Sequence, residues 1–257
     1  MTLRVSVVIP AFNEGNAIIP VLDRIFDSVE SDCDIFVVVD SEEDTTLPVL
    51  AEYARKQPHL HPTLNTYGHG PANAIRFGID TVASSVVVVT MADGSDDPRQ
   101  IDALARLVDR GVVVAAASRY ASGGQQVGGS AFKGMLSRTA GWSLSTFARV
   151  GTRDATNSFK AYSTAFVREV GIDSRNGFEI GLELTAKARR LRRPVAEIPT
   201  IWLNRPTGSS NFDLKGWIPH YLRWYRYAFG PPLTIEQLRA TAARTAFPHP
   251  GVEGSTQ

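Results

Sequence analysis

Cysteine is nearly absent: Cys33 is the single one in 257 residues, which excludes an intrachain disulfide framework and a cysteine-built zinc site and fits a reducing, cytoplasmic setting. Long apolar runs are missing too. No stretch approaches the roughly 18 uninterrupted apolar residues that a spanning helix needs. The chain enters Val5-Ser6-Val7-Val8-Ile9-Pro10 so soon that no leader is expected ahead of it. Charge of one sign is lacking, since the net charge is +1, and this argues against a general nucleic-acid binder. The local basic clusters at 189–193 and 223–226 are either solvated helix faces or interaction surfaces. The glycine-containing turn Gly68-His69-Gly70-Pro71 lacks the spacing of a Walker loop or a dinucleotide fingerprint, so it reads first as close backbone packing and second as phosphate contact.

What is present is organised around residues 86–98, where Val86-Val87-Val88-Val89 passes through Thr90-Met91-Ala92 into Asp93-Gly94-Ser95-Asp96-Asp97-Pro98. A short apolar run closed by turn residues reads as a fully buried strand, which delivers the acidic cluster to its C-terminal end. In open α/β sheets that end faces the ligand crevice, so Asp93 is a candidate ligand for a hard divalent cation beside a phosphate. The alternative is a polar turn that caps a helix starting near Pro98, and spacing alone leaves both open.

Further strands are expected at 5–9, at 35–39 ending on Asp40, at 112–117, and at 199–203. Helical spacing of apolar residues marks 17–29, 45–56, 102–109, 131–150 and 178–191, and the glycine turn feeds a helix running through Ile79. Strands alternating with helices define an α/β chain with a mostly parallel sheet flanked by helices, its polar strand ends gathered at one edge. Asp40 at such an end either binds a nucleobase or ribose or caps the next helix. Gly123-Gly124 and Gly128-Gly129 mark a loop that could order over a substrate. Glu179 and Glu183 share a helix face at i, i+4.

From Gly216 to Phe229 the composition shifts to Trp217, Ile218, Tyr221, Leu222, Trp224, Tyr225, Tyr227 and Phe229, interleaved with Lys215, His220, Arg223 and Arg226. This is either a core stripe or an interfacial membrane element. The expected division is a catalytic domain over 1–212, an aromatic and basic helical extension over 213–247, and a disordered tail from 248.

Together, Ile9-Pro10-Ala11-Phe12-Asn13-Glu14, the strand ending on Asp40, Ala92-Asp93 and Ser118-Arg119-Tyr120 resemble a family 2 glycosyltransferase. Ser137-Arg138, the 154–159 segment, Glu183, Glu197-Ile198-Pro199 and Arg205-Pro206-Thr207-Gly208-Ser209-Ser210 are most similar to the dolichol- or polyprenyl-phosphate mannosyltransferases of that family. The resemblance implies a Rossmann-like, nucleotide-sugar-binding glycosyltransferase A fold that uses Mg²⁺ or Mn²⁺. Pro10, Phe12, Glu14 and Asp40 would surround the nucleotide of a GDP- or UDP-sugar. Asp93 would ligate the metal, with Asp96 as a second ligand, and Ala92 and Ser95 would line the same strand end. Arg119, Arg138 and Arg205 would gather donor and acceptor phosphates, and Ser210 and Asn211 would lie on the substrate. The acceptor would be a polyprenyl phosphate, reached through peripheral membrane contact or a separate membrane subunit.

Two positions depart from the family pattern. Met91 stands where the first acid of an Asp-x-Asp pair is usual, and a hard cation does not favour a thioether. Asn211 stands where a lysine is often found, which removes one positive charge near the lipid phosphate. A phosphate acceptor is already largely ionised and needs no base, because its second pKa is about 6. A hydroxyl acceptor needs one, and Asp154, Glu179 and Glu183 are the candidates. A non-catalytic nucleotide-sugar-binding protein is the reading that Met91 motivates.

Overall fold

The computed structural model describes residues 3–204 and 214–245. A seven-stranded sheet forms the centre, in the order β3-β2-β1-β4-β7-β5-β8. Its strands are β1 (Arg4–Pro10), β2 (Asp32–Val39), β3 (Leu60–Leu64), β4 (Val86–Val89), β5 (Val114–Ser118), β7 (Lys160–Ser163) and β8 (Val195–Pro199). Every pairing is parallel except the two made by β7. A separate two-stranded parallel ribbon joins β6 (Gln125–Val127) to β9 (Ile201–Leu203).

Side chains alternate across a strand, and here the alternation divides the core in two. Val5, Val7 and Ile9 of β1 pack with Ile18, Ile101, Leu104 and the inner residues of α1 (Ile19–Ser28), such as Leu22 and Ile25. Val8 faces the other layer, with Ala72, Ile75 and Ile79 of α3 (Pro71–Thr81) and Ile180 and Leu184 of α7 (Ile180–Arg190). Gly78 makes the α3 contact possible, because a Cβ there would lie 2.4 Å from a Val8 methyl.

Several boundaries move for local reasons. The expected helix at 17–29 is a 3₁₀ turn, Gly15–Ile18, followed by α1, with Pro20 in the first turn where its missing N–H costs nothing. The helix expected over 45–56 is α2 (Thr46–Ala54), and that over 102–109 is α4 (Ile101–Asp109), reached through a 3₁₀ turn at Pro98–Gln100. The 131–150 helix is α5 (Ala131–Ser143) continued by a π turn, Leu144–Ala148, that stops at Arg149 in the left-handed region. Glu179 is the N-cap of α7, and its carbonyl accepts from the Glu183 N–H at 2.9 Å, so the two keep the i, i+4 relation.

Three strands had no clear sequence signal: β3 carries Pro62 and sits at the sheet edge, β7 reads Lys160-Ala161-Tyr162-Ser163 with no apolar run, and β8 is a half-buried edge strand. The strand expected at 199–203 divides at Thr200, between β8 and the ribbon. The 123–129 loop contains β6, so it is paired with β9 rather than a plain loop. After β7 comes α6 (Thr164–Val170), and the described chain closes with α8 (Leu214–Ala228) and α9 (Ile235–Thr245).

The first basic cluster is only partly solvated. Arg189 donates to the carbonyls of Ala148 and Gly230, and Arg190 to that of Pro231, so they tie α7 to what precedes and follows it. In α8, Trp224 and Ala228 are buried against Leu144, Ala148 and Leu182, so the inner face of that aromatic stripe is core. No helix among the described residues is long and apolar enough to cross a membrane.

Candidate active site

Parallel strands β1, β2, β4, β5 and β8 all end at the same edge of the sheet, and antiparallel β7 begins there. This one reversal brings the segment before β7, residues 154–159, to the edge where Phe12, Asp40, Asp93 and Arg119 emerge. Phe12 is an exposed ring just past β1. Its neighbour Asn13 sits in the left-handed region, where its N–H donates to Asp44 Oδ2 at 3.0 Å and its Oδ1 accepts from the Thr45 N–H. The Glu14 N–H donates to Thr46 Oγ1 at 2.9 Å. Pro10 is buried at the strand end.

Asp40 does not cap α2. Its two oxygens accept from Asn65 Nδ2 at 2.8 Å and from the Gly70 N–H at 2.7 Å, so it pins the glycine turn ahead of α3. Asp44 holds the α2 start instead, accepting from the Thr46 N–H at 2.8 Å.

At the end of β4, Ala92 is buried and Asp93 is half-buried. Asp93 Oδ1 accepts from the Ser95 N–H at 3.0 Å, while Oδ2 has no partner among the described residues. Arg24 of α1 braces the turn through the carbonyls of Gly94 and Asp96. Asp96, the second metal candidate, is buried and turned inward, accepting from Thr90 Oγ1 at 2.9 Å and the Met91 N–H at 3.2 Å. Desolvation pushes its carboxyl up to about 6. Asp97 supplies the predicted cap, accepting from the Arg99 N–H. Ser95 Oγ is buried and finds no hydrogen-bond partner among the described residues.

No group of three His, Cys, Asp or Glu side chains among the described residues is arranged to hold a metal. One available carboxylate oxygen suits a cation that keeps most of its coordination for water and phosphate oxygens, as Mg²⁺ does. Asp93 therefore fits such a metal, whereas Asp96 braces the strand end that presents it.

Arg119 follows β5 and donates to Asp154 from its backbone N (2.9 Å), Nε (2.7 Å) and Nη2 (2.8 Å). Burial works against the Arg119 charge, but Asp154 more than restores it, and the guanidinium pKa is raised. Arg119 also reaches Ser137 Oγ, which bonds Thr156 Oγ1. Asn157 donates to the Ala117 carbonyl, and the buried Lys160 ammonium donates to the carbonyls of Asp154, Ala155 and Asn157. Desolvation lowers the Lys160 pKa to about 7. The 154–157 segment is thus held from three sides.

Arg119 and Arg138 lie over the Tyr120 ring, at 5.1 and 5.2 Å from its centroid. With Ala121, Gly124, Trp142 and Arg153 they line a cavity of about 330 Å³. Arg138 has no ion-pair partner among the described residues. Glu179, Glu183 and Glu197 do not pair with it, because each of those acids is engaged elsewhere. Glu179 accepts from the Asn176 and Gly177 N–H groups. Glu183 accepts from the Asp173 and Ser174 N–H groups and pairs with Lys187 at 2.6 Å. Glu197 accepts from Thr152 Oγ1 and the Arg153 N–H.

Glu183 and Asp154 are both inaccessible side chains, and they act as positioning groups. Arg205, Ser210 and Asn211 lie outside the described residues. Sequence reasoning missed Arg153, Trp142 and Lys160; the available signal was the adjacency of Arg153 and Lys160 to the 154–159 segment.

A crevice at the carboxyl edge of a mostly parallel sheet, carrying one acid on a buried strand and a cluster of arginines, is where α/β proteins of this architecture bind ligands. The family model described as glycosyl transferase family 2 matches residues 6–171, and the chain belongs to that family. It is a glycosyltransferase. An undecaprenyl-phosphate mannosyltransferase from Micrococcus luteus is 28% identical over 221 residues, covering 82% of this chain and 88% of the relative. A polyprenol monophosphomannose synthase from Mycolicibacterium smegmatis is 29% identical, covering 82% of each. Among solved structures, glucosyl-3-phosphoglycerate synthase from Mycobacterium tuberculosis, in complex with Mn²⁺, UDP and glucosyl-3-phosphoglycerate, superposes with a TM-score of 0.63. It is 17% identical, over 90% of this chain and 82% of that one, and shares the fold.

Proposed function

We propose that the protein transfers mannose or glucose from a GDP- or UDP-sugar to a polyprenyl phosphate, by a single displacement that inverts the anomeric carbon. The observation that carries this reading is the cavity where Arg119, Arg138 and Arg153 converge, while Asp154, Glu179 and Glu183 are all buried and bonded. A hydroxyl acceptor would need a carboxylate oxygen within about 2.6–3.2 Å of its attacking oxygen. A phosphate monoester needs none, and its charge favours a site built from guanidinium forks. The names of the two mannosyl-transferring relatives support the same acceptor class and favour mannose.

In this reading Phe12, Asp40, Glu14 and Pro10 border the nucleotide, and Ala92 and Ser95 line the floor beside Asp93. Asp93 would hold Mg²⁺ or Mn²⁺, which when bound neutralises the departing diphosphate. Arg138 and Arg153 hold the acceptor phosphate, and Arg119, locked by Asp154, fixes the wall against which it is aligned. Arg205, Ser210 and Asn211 belong to the same proposed site by resemblance. Since the acceptor resides in a bilayer, the protein works at a membrane surface.

The test is transfer from radiolabelled GDP- and UDP-sugars to a polar-lipid extract, with Mg²⁺ or Mn²⁺ and with EDTA. A labelled lipid that is cleaved by mild acid and disappears with EDTA is the expected result. Label appearing only in water-soluble, acid-stable glycosides would replace this reading with a hydroxyl acceptor.

A further inference from the structure

We propose that α5 and the π turn after it form the face by which the protein lies on an anionic lipid surface. This rests on the lipid-acceptor reading and names the surface that reading needs. Phe132, Met135, Leu136, Trp142 and Phe147 are 62, 61, 42, 57 and 64% exposed. At helical spacing they fall on one side, while Gly141, Leu144 and Ala148 on the opposite side are buried. Single exposed apolar residues are ordinary, but five large ones in one stripe mark a surface with an apolar partner. Trp142 and Phe147 also meet edge to face at 5.5 Å, which extends the stripe across the helix break.

The charge pattern selects the partner. Between Asp109 and Asp154 the chain contains six Lys or Arg residues and no Asp or Glu. Lys133 and Arg138 are on α5 itself, Arg149 directly follows the π turn, and Arg153 lines a cavity together with Trp142 of the stripe. Exposed aromatics flanked by cations alone suit the headgroup region of an anionic bilayer. A second copy docking here through a two-fold axis would bring these cations together with no acid on this segment to offset them.

The aromatic helix α8, the other candidate for this role, is a poorer one. Its Trp224 is only 3% exposed and lies in the core, and among its described side chains away from the C-terminal end the large outward apolar ones are Ile218 and Leu222, at 44 and 38%. Position adds a second argument. Arg138 and Trp142 belong to both α5 and the wall of the arginine cavity, so a bilayer against α5 lies beside the cavity that the acceptor reading assigns to the lipid phosphate.

Flotation of the full chain on phosphatidylcholine vesicles, with and without phosphatidylglycerol, tests this. Three proteins are compared: the wild type, a Phe132→Ser/Met135→Ser/Phe147→Ser variant, and an Ile218→Ser/Leu222→Ser variant. All five positions are exposed, so the thermal unfolding midpoints should agree. The wild type is expected to float with phosphatidylglycerol vesicles, the α5 variant at least about tenfold less, and the α8 variant within about twofold of wild type.

Transfer to a short-chain, water-soluble isoprenyl phosphate should survive in the α5 variant, while transfer to acceptor embedded in vesicles falls with its binding. Equal flotation of the α5 variant and the wild type overturns the proposal. So does a dimer in sedimentation that the α5 substitutions dissolve while no vesicle binding occurs. Vesicle binding that depends on α5, without transfer to any isoprenyl phosphate, would support the surface and sink the acceptor reading instead.

Discussion

Arg119 and Asp154, 35 residues apart in the chain, are joined by three hydrogen bonds that close both oxygens of the carboxylate. The pair is nearly sealed from solvent, and it couples the end of β5 to the segment entering β7. Removing one partner of a buried pair leaves the other charge uncompensated, at a cost of about 3–5 kcal/mol. Asp154→Ala is expected to lose that much stability in urea unfolding, and transfer activity with it. A loss under about 1 kcal/mol would show that the pair does not organise the edge.

Arg138 is accessible and lies over the Tyr120 ring, with no ion-pair partner among the described residues. A charge-assisted hydrogen bond contributes about 1.5–3 kcal/mol, so Arg138→Ala should raise the acceptor KM by about 10- to 100-fold and leave the donor KM unchanged. Steady-state kinetics with each substrate varied in turn reads this directly. An equal effect on the donor would move Arg138 to the other side of the reaction.

Met91 precedes the buried Ala92 at the strand end that presents Asp93. Met91→Asp adds a hard oxygen donor two residues before Asp93, and is expected to lower the Mn²⁺ concentration that supports half-maximal transfer. Chelation of the metal should stop transfer in both proteins. If the metal requirement stays where it was, position 91 does not face the cation.

Desolvation raises the Asp96 carboxyl to about 6, and the neighbouring Asp93 charge adds to the rise. An unfolded aspartate titrates near 3.9, so between about pH 4 and 6 the folded chain holds a proton that the unfolded chain has lost. The stability this group contributes is complete below about pH 4 and declines as pH rises through 6. Thermal unfolding across this range should show a flatter profile for Asp96→Asn than for wild type. Parallel profiles would show that the carboxyl titrates normally.

Gly141 on α5 packs so closely that a Cβ would lie 1.9 Å from the Arg153 carbonyl oxygen. Alanine favours a helix by about 1 kcal/mol, yet overpacking costs about 1–3 kcal/mol, and a backbone atom cannot rotate away. Gly141→Ala is therefore expected to destabilise, seen as a lower thermal midpoint, and to weaken acceptor use, because Arg138, Trp142 and Arg153 line one cavity across this contact.

Much of the fold was legible in the pattern of apolar residues. The Val86–Val89 run and residues 5–9 are strands buried on both faces, and such strands advertise themselves by continuous hydrophobicity. Strands β3 and β8 carried no such signal because edge strands do not need it, and β7 carried none because Lys160-Ala161-Tyr162-Ser163 buries a lysine that backbone carbonyls satisfy, which leaves no apolar run to read. The aspartates show the same division within the site. Four of them stand at strand ends or turns in the sequence, but hydrogen bonding assigns them different work: Asp40 pins a turn, Asp97 caps, Asp96 braces, and Asp93 keeps an oxygen available.

By itself the sequence determined that this is an α/β chain with a parallel sheet, an acid at the end of its central strand and arginines beyond it, because burial on a regular strand or helix leaves a period in the residue order. Only the tertiary structure decided which arginines share a cavity, which carboxylates are sealed away, and which amphipathic helix turns its apolar side outward. Those outcomes depend on contacts between residues distant in the chain, above all on the reversal of β7 that carries Asp154 to Arg119, and no local pattern encodes them.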